Sequence, residues 1–114
     1  MATKSEVEVF LNTFKAKMKV FDVIFLNRHK NLQALIDLEI TQVARRETLN
    51  ALTVKDYFRG PTRDVDHGPD LWEFGRLLKQ KEVYIKITIG VMSKPVICIS
   101  FHLAEWAIMY PYKK

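Results

Sequence analysis

The alternation of apolar and polar residues over 83–89 constrains this chain more strongly than any other part of its sequence. In the stretch "EVYIKITIG", β-branched residues take every second position, and Tyr84, Lys86 and Thr88 take the positions between them. A period of two sends the apolar side chains to one face of a strand and the polar side chains to the other. The sequence therefore predicts a half-buried β-strand with one face packed on the core.

A second strand is predicted at 96–102, after the short connection "GVMSKP". Strands this close along the chain favour an antiparallel hairpin, and matching their ends places Tyr84 near His102 and Lys86 near Ser100. The core face is expected to carry Val83, Ile85, Ile87, Ile89, Ile97, Ile99 and Phe101. The opposite face is expected to carry Tyr84, Lys86, Thr88, Cys98, Ser100 and His102. A phenol, an ammonium and an imidazole should therefore share one surface.

Helical periodicity dominates the first half of the chain. A first helix is predicted over 5–21, where Ser5 and Glu8 have the spacing of a capping box. Its apolar stripe consists of Val7, Phe10, Leu11, Phe14 and Met18. The segment "FDVIFL", residues 21–26, is rich in aromatic and β-branched residues and predicts a short strand.

Two further helices are predicted over 31–40 and 41–52. In the first of these, the residues at helical spacing that should face the core are Leu32, Leu35 and Ile36. The second follows Thr41, a favourable N-cap residue. Its expected core-facing residues are Val43, Leu49 and Leu52.

A long polar loop is predicted for residues 57–72, "YFRGPTRDVDHGPDLW", because glycine and proline interrupt any regular pattern there. Loops of this length in small domains often carry function. A strand should begin around Trp72 to Phe74, and "KQKE" should form a turn.

The tail, residues 103–114, predicts a helical turn followed by an extended arm, a possible C-terminal extension of the domain. Residues 1–114 are then expected to form one α+β domain. Its N-terminal helices should pack on a small, twisted and mainly antiparallel sheet.

The composition narrows the classes of partner. A formal charge of +5 and a pI of about 9.4 favour polyanions. The single cysteine, Cys98, lies in an apolar strand, which predicts a buried and inert thiol. No apolar run has the length of a membrane helix, and the N-terminus lacks the apolar stretch of a secretory signal, so we expect a cytoplasmic protein without membrane contact.

The polar strand residues have the chemistry that RNA cleavage requires. Attack by the 2′-hydroxyl needs a base, an acid for the 5′-oxygen and cations on the phosphate. His102 or Glu73 could act as base or acid, Tyr84 could donate a proton, and Arg59 and Lys86 could hold the phosphate. Such a site would select RNA over DNA.

The same residues could also have ordinary structural roles and no part in catalysis. A histidine at a strand end, a tyrosine and a lysine on an exposed strand face, and a surface carboxylate are all ordinary. The segment "DVDHG" could be read as a metal-ligand cluster, but it lacks a cysteine pair or a second histidine nearby.

Four pieces of the second half of the chain resemble one family when taken in order. They are "DYFRG", the loop ending in Asp66, His67 and Trp72, the strand "VYIKIT" and the final strand "ISFH". Together they resemble the MqsR family of bacterial toxins, which have a RelE-like ribonuclease fold. The first half is similar to that family in the order of its elements.

The resemblance implies a cytoplasmic mRNA-cleaving toxin that needs no metal and no other cofactor. It also implies a cognate antitoxin that combines a zinc-binding domain with a DNA-binding helix-turn-helix domain; the toxin itself is not expected to bind DNA. Carried over by position, the resemblance implies the catalytic residues Arg59, Glu73, Tyr84 and His102. At these four positions the family usually has lysine, glutamine, tyrosine and lysine, in that order. Further RNA contacts are expected from Arg63, His67, Lys79 and Lys86.

Two other functions remain open at the level of sequence. The basic face could belong to a non-catalytic module that binds RNA or protein. The replaced site residues could also mark a degenerate toxin that binds its antitoxin but no longer cleaves. An adjacent reading frame for a small protein with CxxC pairs and a helix-turn-helix would favour either toxin reading over the unrelated module.

Overall fold

The computed structural model describes residues 1–64 and 68–113, and in that part of the chain it contains three α-helices and five β-strands. The helices are α1 (Lys4–Phe21), α2 (His29–Leu38) and α3 (Gln42–Ala51). The strands are β1 (Val23–Phe25), β2 (Tyr57–Asp64), β3 (Gly68–Leu78), β4 (Lys81–Thr88) and β5 (Val96–Leu103). None of these helices is both long and apolar enough to cross a lipid bilayer.

The five strands form one sheet in the order β1-β5-β4-β3-β2. β1 runs parallel to β5, and the other neighbouring strands run antiparallel. The apolar stripe of α1 packs on the face of the sheet that carries Phe74, Ile85 and Phe101. The expected α+β class, with helices packed on a small and mainly antiparallel sheet, is confirmed.

The first helix begins earlier than its sequence suggested. Its capping box is formed by Thr3 and Glu6, whereas Ser5 and Glu8 were expected. The hydroxyl of Thr3 accepts from the Glu6 amide at 3.1 Å, and the Glu6 carboxylate accepts from the Thr3 amide at 2.8 Å. The predicted apolar stripe of α1 is confirmed, because all five of its residues are buried.

The predicted core face of α2 is wrong. Ile36 is 70% exposed and Leu32 is exposed as well, whereas the buried residues of α2 are Asn31, Ala34 and Leu38. In α3 the cap at Thr41 is confirmed. Its predicted core residues Leu49 and Leu52 are buried, but Val43 is exposed.

The hydrogen bonds of the buried Asn31 side chain explain which face of α2 packs against the rest of the protein. Its Nδ2 donates to the carbonyl oxygens of Leu26 and Ile99, and its Oδ1 accepts from the Phe101 amide, all at 2.9 Å. β1 ends at Phe25, so the edge of β5 beyond that point has no strand beside it in the described residues. Asn31 satisfies the backbone groups of β5 there, because buried polar groups need partners.

The pairing of β4 with β5 contains a β-bulge. Lys86 pairs with Ser100, as expected, but the next residue Ile87 pairs with Cys98, which leaves Ile99 without a partner on β4. One extra residue in a strand exchanges the faces of the residues beyond it. The register predicted for Tyr84 with His102 is confirmed.

The bulge corrects the predicted faces of β5. Cys98 was expected on the polar face, yet it is buried in the core beside α1. Ile97 and Ile99 were expected in this core and are not part of it, although Ile99 is buried. The predicted inert thiol agrees with the structure, since burial raises the pKa of Cys98 to about 12.

Residues 57–72 form much of a β-hairpin, so the predicted loop is wrong. β2 pairs antiparallel with β3 through Tyr57 and Phe74, Arg59 and Glu73, and further pairs toward Asp64 and Gly68. The register shifts several times along this pair. Glycine and proline are tolerated here because β2 is an irregular edge strand. The connection at 65–67 lies outside the described residues.

The tail crosses the sheet as a strap, and its described residues 104–113 contain a turn at 111–112 but no helix. It leaves the end of β5 and passes over β4, where the two carboxylate oxygens of Glu82 accept from the Ile108 amide at 3.2 Å and the Tyr110 hydroxyl at 3.0 Å. It ends beside the N-terminus, where the Tyr112 hydroxyl donates to the Ala2 carbonyl at 2.6 Å.

Gly75 of β3 lets the strap lie flat on the sheet. A Cβ atom at this position would lie 2.5 Å from the Tyr110 hydroxyl and 2.6 Å from Cδ1 of Ile108. Gly75 pairs with Tyr84, and residues directly opposite in a sheet share a face. The strap therefore covers the face of the sheet on which Tyr84 lies, opposite to α1.

Replacing Asn31 should cost much of the stability of the fold. Asn31→Ala leaves one buried carbonyl, one partly buried carbonyl and one buried amide without their hydrogen-bond partner. We therefore expect the free energy of unfolding to fall by about 3 kcal/mol. Gln33→Ala, an exposed amide on the same helix, is the matched control and should change it by less than about 0.5 kcal/mol. Urea unfolding of both variants measures the difference, and equal midpoints would contradict this account of α2.

Candidate active site

A cleft of about 260 Å³ opens on the face of the sheet that points away from α1. Its floor carries side chains of β2, β4 and β5, and the strap forms a wall with Ala104, Glu105, Trp106 and Ile108. The floor residues are Arg59, Tyr84, Lys86, Ser100 and His102. Most of the predicted polar face therefore lines one concave surface.

Strand register brings these residues together in two adjacent rows. One row runs across four strands through Arg59, Glu73, Lys86 and Ser100, each paired with the next. The second row runs through Gly75, Tyr84 and His102. Directly opposite residues of a sheet have Cβ atoms roughly 5 Å apart. Backbone pairing therefore sets the spacing of the site.

A buried carboxylate lies beneath the floor of the cleft. Glu73 is only 3% exposed. Its Oε2 accepts from Nε of Arg59 at 2.9 Å, and its Oε1 accepts a short hydrogen bond from the Tyr84 hydroxyl. Two donors offset the cost of burying the charge. Glu73 thus holds the phenol and the guanidinium in fixed positions relative to one another.

The pKa of Tyr84 is raised well above its ordinary value. Burial is the largest cause, followed by the hydrogen bond to Glu73 and the negative charge of that carboxylate, while Arg59 opposes the shift. The hydrogen bond and charge of Glu73 also raise the pKa of Arg59. Around neutral pH the Tyr84 phenol is therefore protonated and donates to Glu73.

His102 lies beside Tyr84 on the floor of the cleft, with 5.4 Å between the two ring centroids. Its Nδ1 is 2.9 Å from the Leu103 carbonyl oxygen. Because a carbonyl oxygen can only accept, Nδ1 is the donor in this contact. The other ring nitrogen, Nε2, remains to exchange a proton with a ligand.

The structure brings together Arg59, Glu73, Tyr84, Lys86 and His102, all of which were candidates from the sequence.

The other candidates for RNA contact lie elsewhere. Arg63 is an exposed residue of β2 outside the cleft lining. Lys79 lies in the turn between β3 and β4 and donates to the Glu39 carbonyl at 2.9 Å. His67 lies outside the described residues, as does Asp66.

Sequence reasoning allowed the tail to cover the site but did not identify which of its residues would form the wall of the cleft. Glu105 and Trp106 of the strap line it, and both Glu105 carboxylate oxygens accept from Lys30 of α2 at 2.8 Å. The density of aromatic residues in the tail was the available signal. Its direction across the sheet depends on Glu82, which lies far away in the sequence.

A second, apolar groove of about 460 Å³ lies between α1 and the β2–β3 hairpin. Among the described residues that line it, Glu6 is the one ionisable group, and its carboxylate caps α1. This groove offers a ligand little chemistry, so the polar cleft is the candidate active site. Among the side chains of residues 1–63 and 69–113, no group of three or more His, Cys, Asp or Glu could hold a metal ion.

Comparison of the chain with protein-family models, with curated proteins and with solved structures gave no match.

The raised pKa of Tyr84 should appear as a loss of stability at alkaline pH. Tyr84 contributes stability fully below the ordinary tyrosine pKa of about 10 and loses it as pH rises toward the raised pKa of the folded state. We therefore expect the free energy of unfolding to fall less steeply above about pH 10 in Tyr84→Phe than in the wild type. Urea unfolding across this pH range measures both slopes.

The free energy of unfolding of Tyr84→Phe should still fall somewhat with rising alkaline pH, because burial also raises the pKa of Tyr57 and Tyr110. Met109→Ala removes an exposed side chain that does not titrate and should keep the wild-type slope. Identical slopes in Tyr84→Phe and the wild type would contradict the described environment of the phenol.

Proposed function

We propose that this chain is an endoribonuclease that cleaves mRNA by attack of the 2′-hydroxyl on the adjacent phosphate. The observation that carries the proposal is the buried Glu73 carboxylate, which binds Tyr84 and Arg59 next to His102 on the floor of one cleft. A proton acceptor, a proton donor and a phosphate-binding cation thus lie within reach of one bound phosphodiester.

Arg59 and Lys86 bind the phosphate. Both line the cleft, and the Arg59 side chain is 57% exposed although its Nε is anchored on Glu73. Anchoring favours catalysis, because a cation that is already positioned needs no reorganisation as charge develops on the phosphate oxygens. The positive net charge of the chain favours the approach of a polyanion.

Tyr84 and Glu73 together act as the base. The phenol donates its hydrogen to Glu73, so its oxygen accepts from the 2′-hydroxyl. As Tyr84 takes the proton of the 2′-hydroxyl, it passes its own proton to Glu73. This transfer avoids a free phenolate, which the raised pKa of Tyr84 disfavours.

His102 acts as the acid. The 2′-oxygen bonds to phosphorus while the bond from phosphorus to the 5′-oxygen breaks, and the imidazolium of His102 gives its Nε2 proton to the departing oxygen. The products are a 2′,3′-cyclic phosphate and a 5′-hydroxyl. Only RNA supplies the attacking group, so DNA is not a substrate.

The MqsR resemblance supplies the biological setting of the proposal. It makes the chain a cytoplasmic toxin that is neutralised by an antitoxin with zinc-binding and helix-turn-helix domains. Of the four positions carried over from that family, Arg59, Tyr84 and His102 line one cleft and Glu73 lies beneath its floor, which supports this assignment. A search for such an antitoxin in the adjacent reading frame examines the setting separately from the chemistry.

Cleavage should depend on Tyr84 and His102. Losing a general acid or base costs roughly 10²- to 10⁴-fold in rate, so we expect Tyr84→Phe and His102→Ala to lower the rate on a defined mRNA by that order. The purified protein is assayed in EDTA, with cyclic phosphate ends scored on the products. Lys94→Ala, which removes an exposed cation between β4 and β5, is the control and should retain full activity.

Two results of this assay would contradict the proposal, and each would be informative. Intact RNA with folded protein, with ribosomes also supplied, would sink the catalytic proposal and leave a binding module or a degenerate toxin. Cleavage that continues unchanged in both variants would place the activity on another surface or in a contaminant.

The pH dependence should reveal the role of His102. A reaction that needs the protonated form of its acid slows as rising pH removes that proton. We therefore expect the wild-type rate to decline on the alkaline side, and His102→Ala to lack this decline in its residual rate. Single-turnover rates across the pH range measure both profiles. A wild-type rate that climbs through neutrality would instead make His102 the base.

A further inference from the structure

The strap presents an exposed indole to the cleft. Trp106 is 60% exposed and lines the same concave surface as Arg59 and Lys86. The other tryptophan, Trp72, is stacked on Phe10 with 4.3 Å between the ring centroids. Large aromatic side chains usually bury most of their surface, so an exposed indole at a polar cleft points to a ligand.

We propose that Trp106 is a stacking platform for an unpaired nucleobase adjacent to the phosphate bound in the cleft. The proposal rests on the ribonuclease function above and adds a substrate class, single-stranded RNA. Proteins that bind single strands combine cations along the backbone with aromatic faces on which bases stack. The floor of this cleft provides the cations, and its wall provides the aromatic face.

The indole is held in place although the strap has no regular secondary structure. Before Trp106, the Ala104 amide donates to the Glu82 carbonyl at 2.9 Å, and Glu105 is bound by Lys30. After it, the Ile108 amide donates to the Glu82 carboxylate. Anchors on both sides reduce the entropy that a ligand must remove when it orders the platform.

The charge of the wall is compatible with RNA. Glu105 is the acidic side chain of the strap at this cleft, and Lys30 pairs with both of its oxygens at 2.8 Å. The pair reduces the repulsion that a lone carboxylate would exert on a phosphate backbone.

Stacking on Trp106 requires a base whose face is free. In a duplex each base is already stacked on its neighbours and paired, so its face is not available. The strap therefore restricts the cleft to unpaired segments of RNA. Because every base has a π-face, this contact tolerates sequence variation, and it selects by strandedness.

A short, labelled RNA carrying 2′-O-methyl groups throughout tests the proposal without cleavage. Its affinity is measured by fluorescence anisotropy with the wild type and with Trp106→Ala, Trp106→Phe and Met109→Ala. We expect Trp106→Ala to weaken binding on the order of 10-fold and Trp106→Phe to retain most of the affinity. Met109→Ala is the matched control, since Met109 is 74% exposed on the same strap, and should bind normally.

Tryptophan fluorescence gives a second readout that a purely structural role would not change. An unlabelled copy of the probe should quench the wild-type emission. Quenching should be lost in Trp106→Phe, which retains Trp72. A duplexed form of the probe should produce neither the quenching nor the Trp106-dependent affinity.

The two proposals fail in different ways. Loss of affinity in Trp106→Ala together with intact mRNA in the cleavage assay would support the platform and reject the ribonuclease. Unchanged probe affinity in Trp106→Ala would overturn the platform, whether or not the wild type cleaves, and would leave the indole as an anchor for a protein partner. Quenching that persists in Trp106→Phe would also overturn it.

Discussion

The double pairing of β4 is the constraint on which the rest of the structure depends. β4 is bonded to β3 along one edge and to β5 along the other, so each of its residues has assigned neighbours. Its alternation turns Ile85 and Ile87 toward α1, and it turns Tyr84 and Lys86 toward the cleft. A slip of one residue would exchange these faces and expose the core. The burial that stabilises the fold therefore also sets the geometry of the site.

Electrostatic balance at Glu73 adds a second requirement. A carboxylate this deeply buried is tolerated because Tyr84 and Arg59 both donate to it. Removing either donor changes the surroundings of the other through the shared carboxylate, so the three side chains behave as one unit and their individual contributions are not additive. His102 stands beside this unit and keeps its own backbone partner.

Local periodicity was sufficient where the structure follows a regular repeat, as in the buried stripe of α1 and the central register of β4 and β5. It failed where residues that are distant in the sequence determine the local structure. Asn31 turns α2 because of backbone groups on β5, and the bulge at Ile99 has no local signal. Glycine and proline on an irregular edge strand made 57–72 look like a loop. The catalytic candidates came from alternation and resemblance, whereas Trp106 depends on contacts between the strap and Glu82.

The last contact of the strap joins the cleft to the opposite end of the chain. Tyr112 stacks on Tyr57, and its hydroxyl is bonded to Ala2, whose amide in turn donates to the Tyr57 hydroxyl. Detaching the strap would remove partners from the residues that precede α1. A ligand that binds only while the strap is docked would therefore stabilise those residues as well, although it would not touch them. Binding of a ligand in the cleft and ordering of the N-terminal segment are then thermodynamically coupled. Each makes the other more favourable by the same free energy.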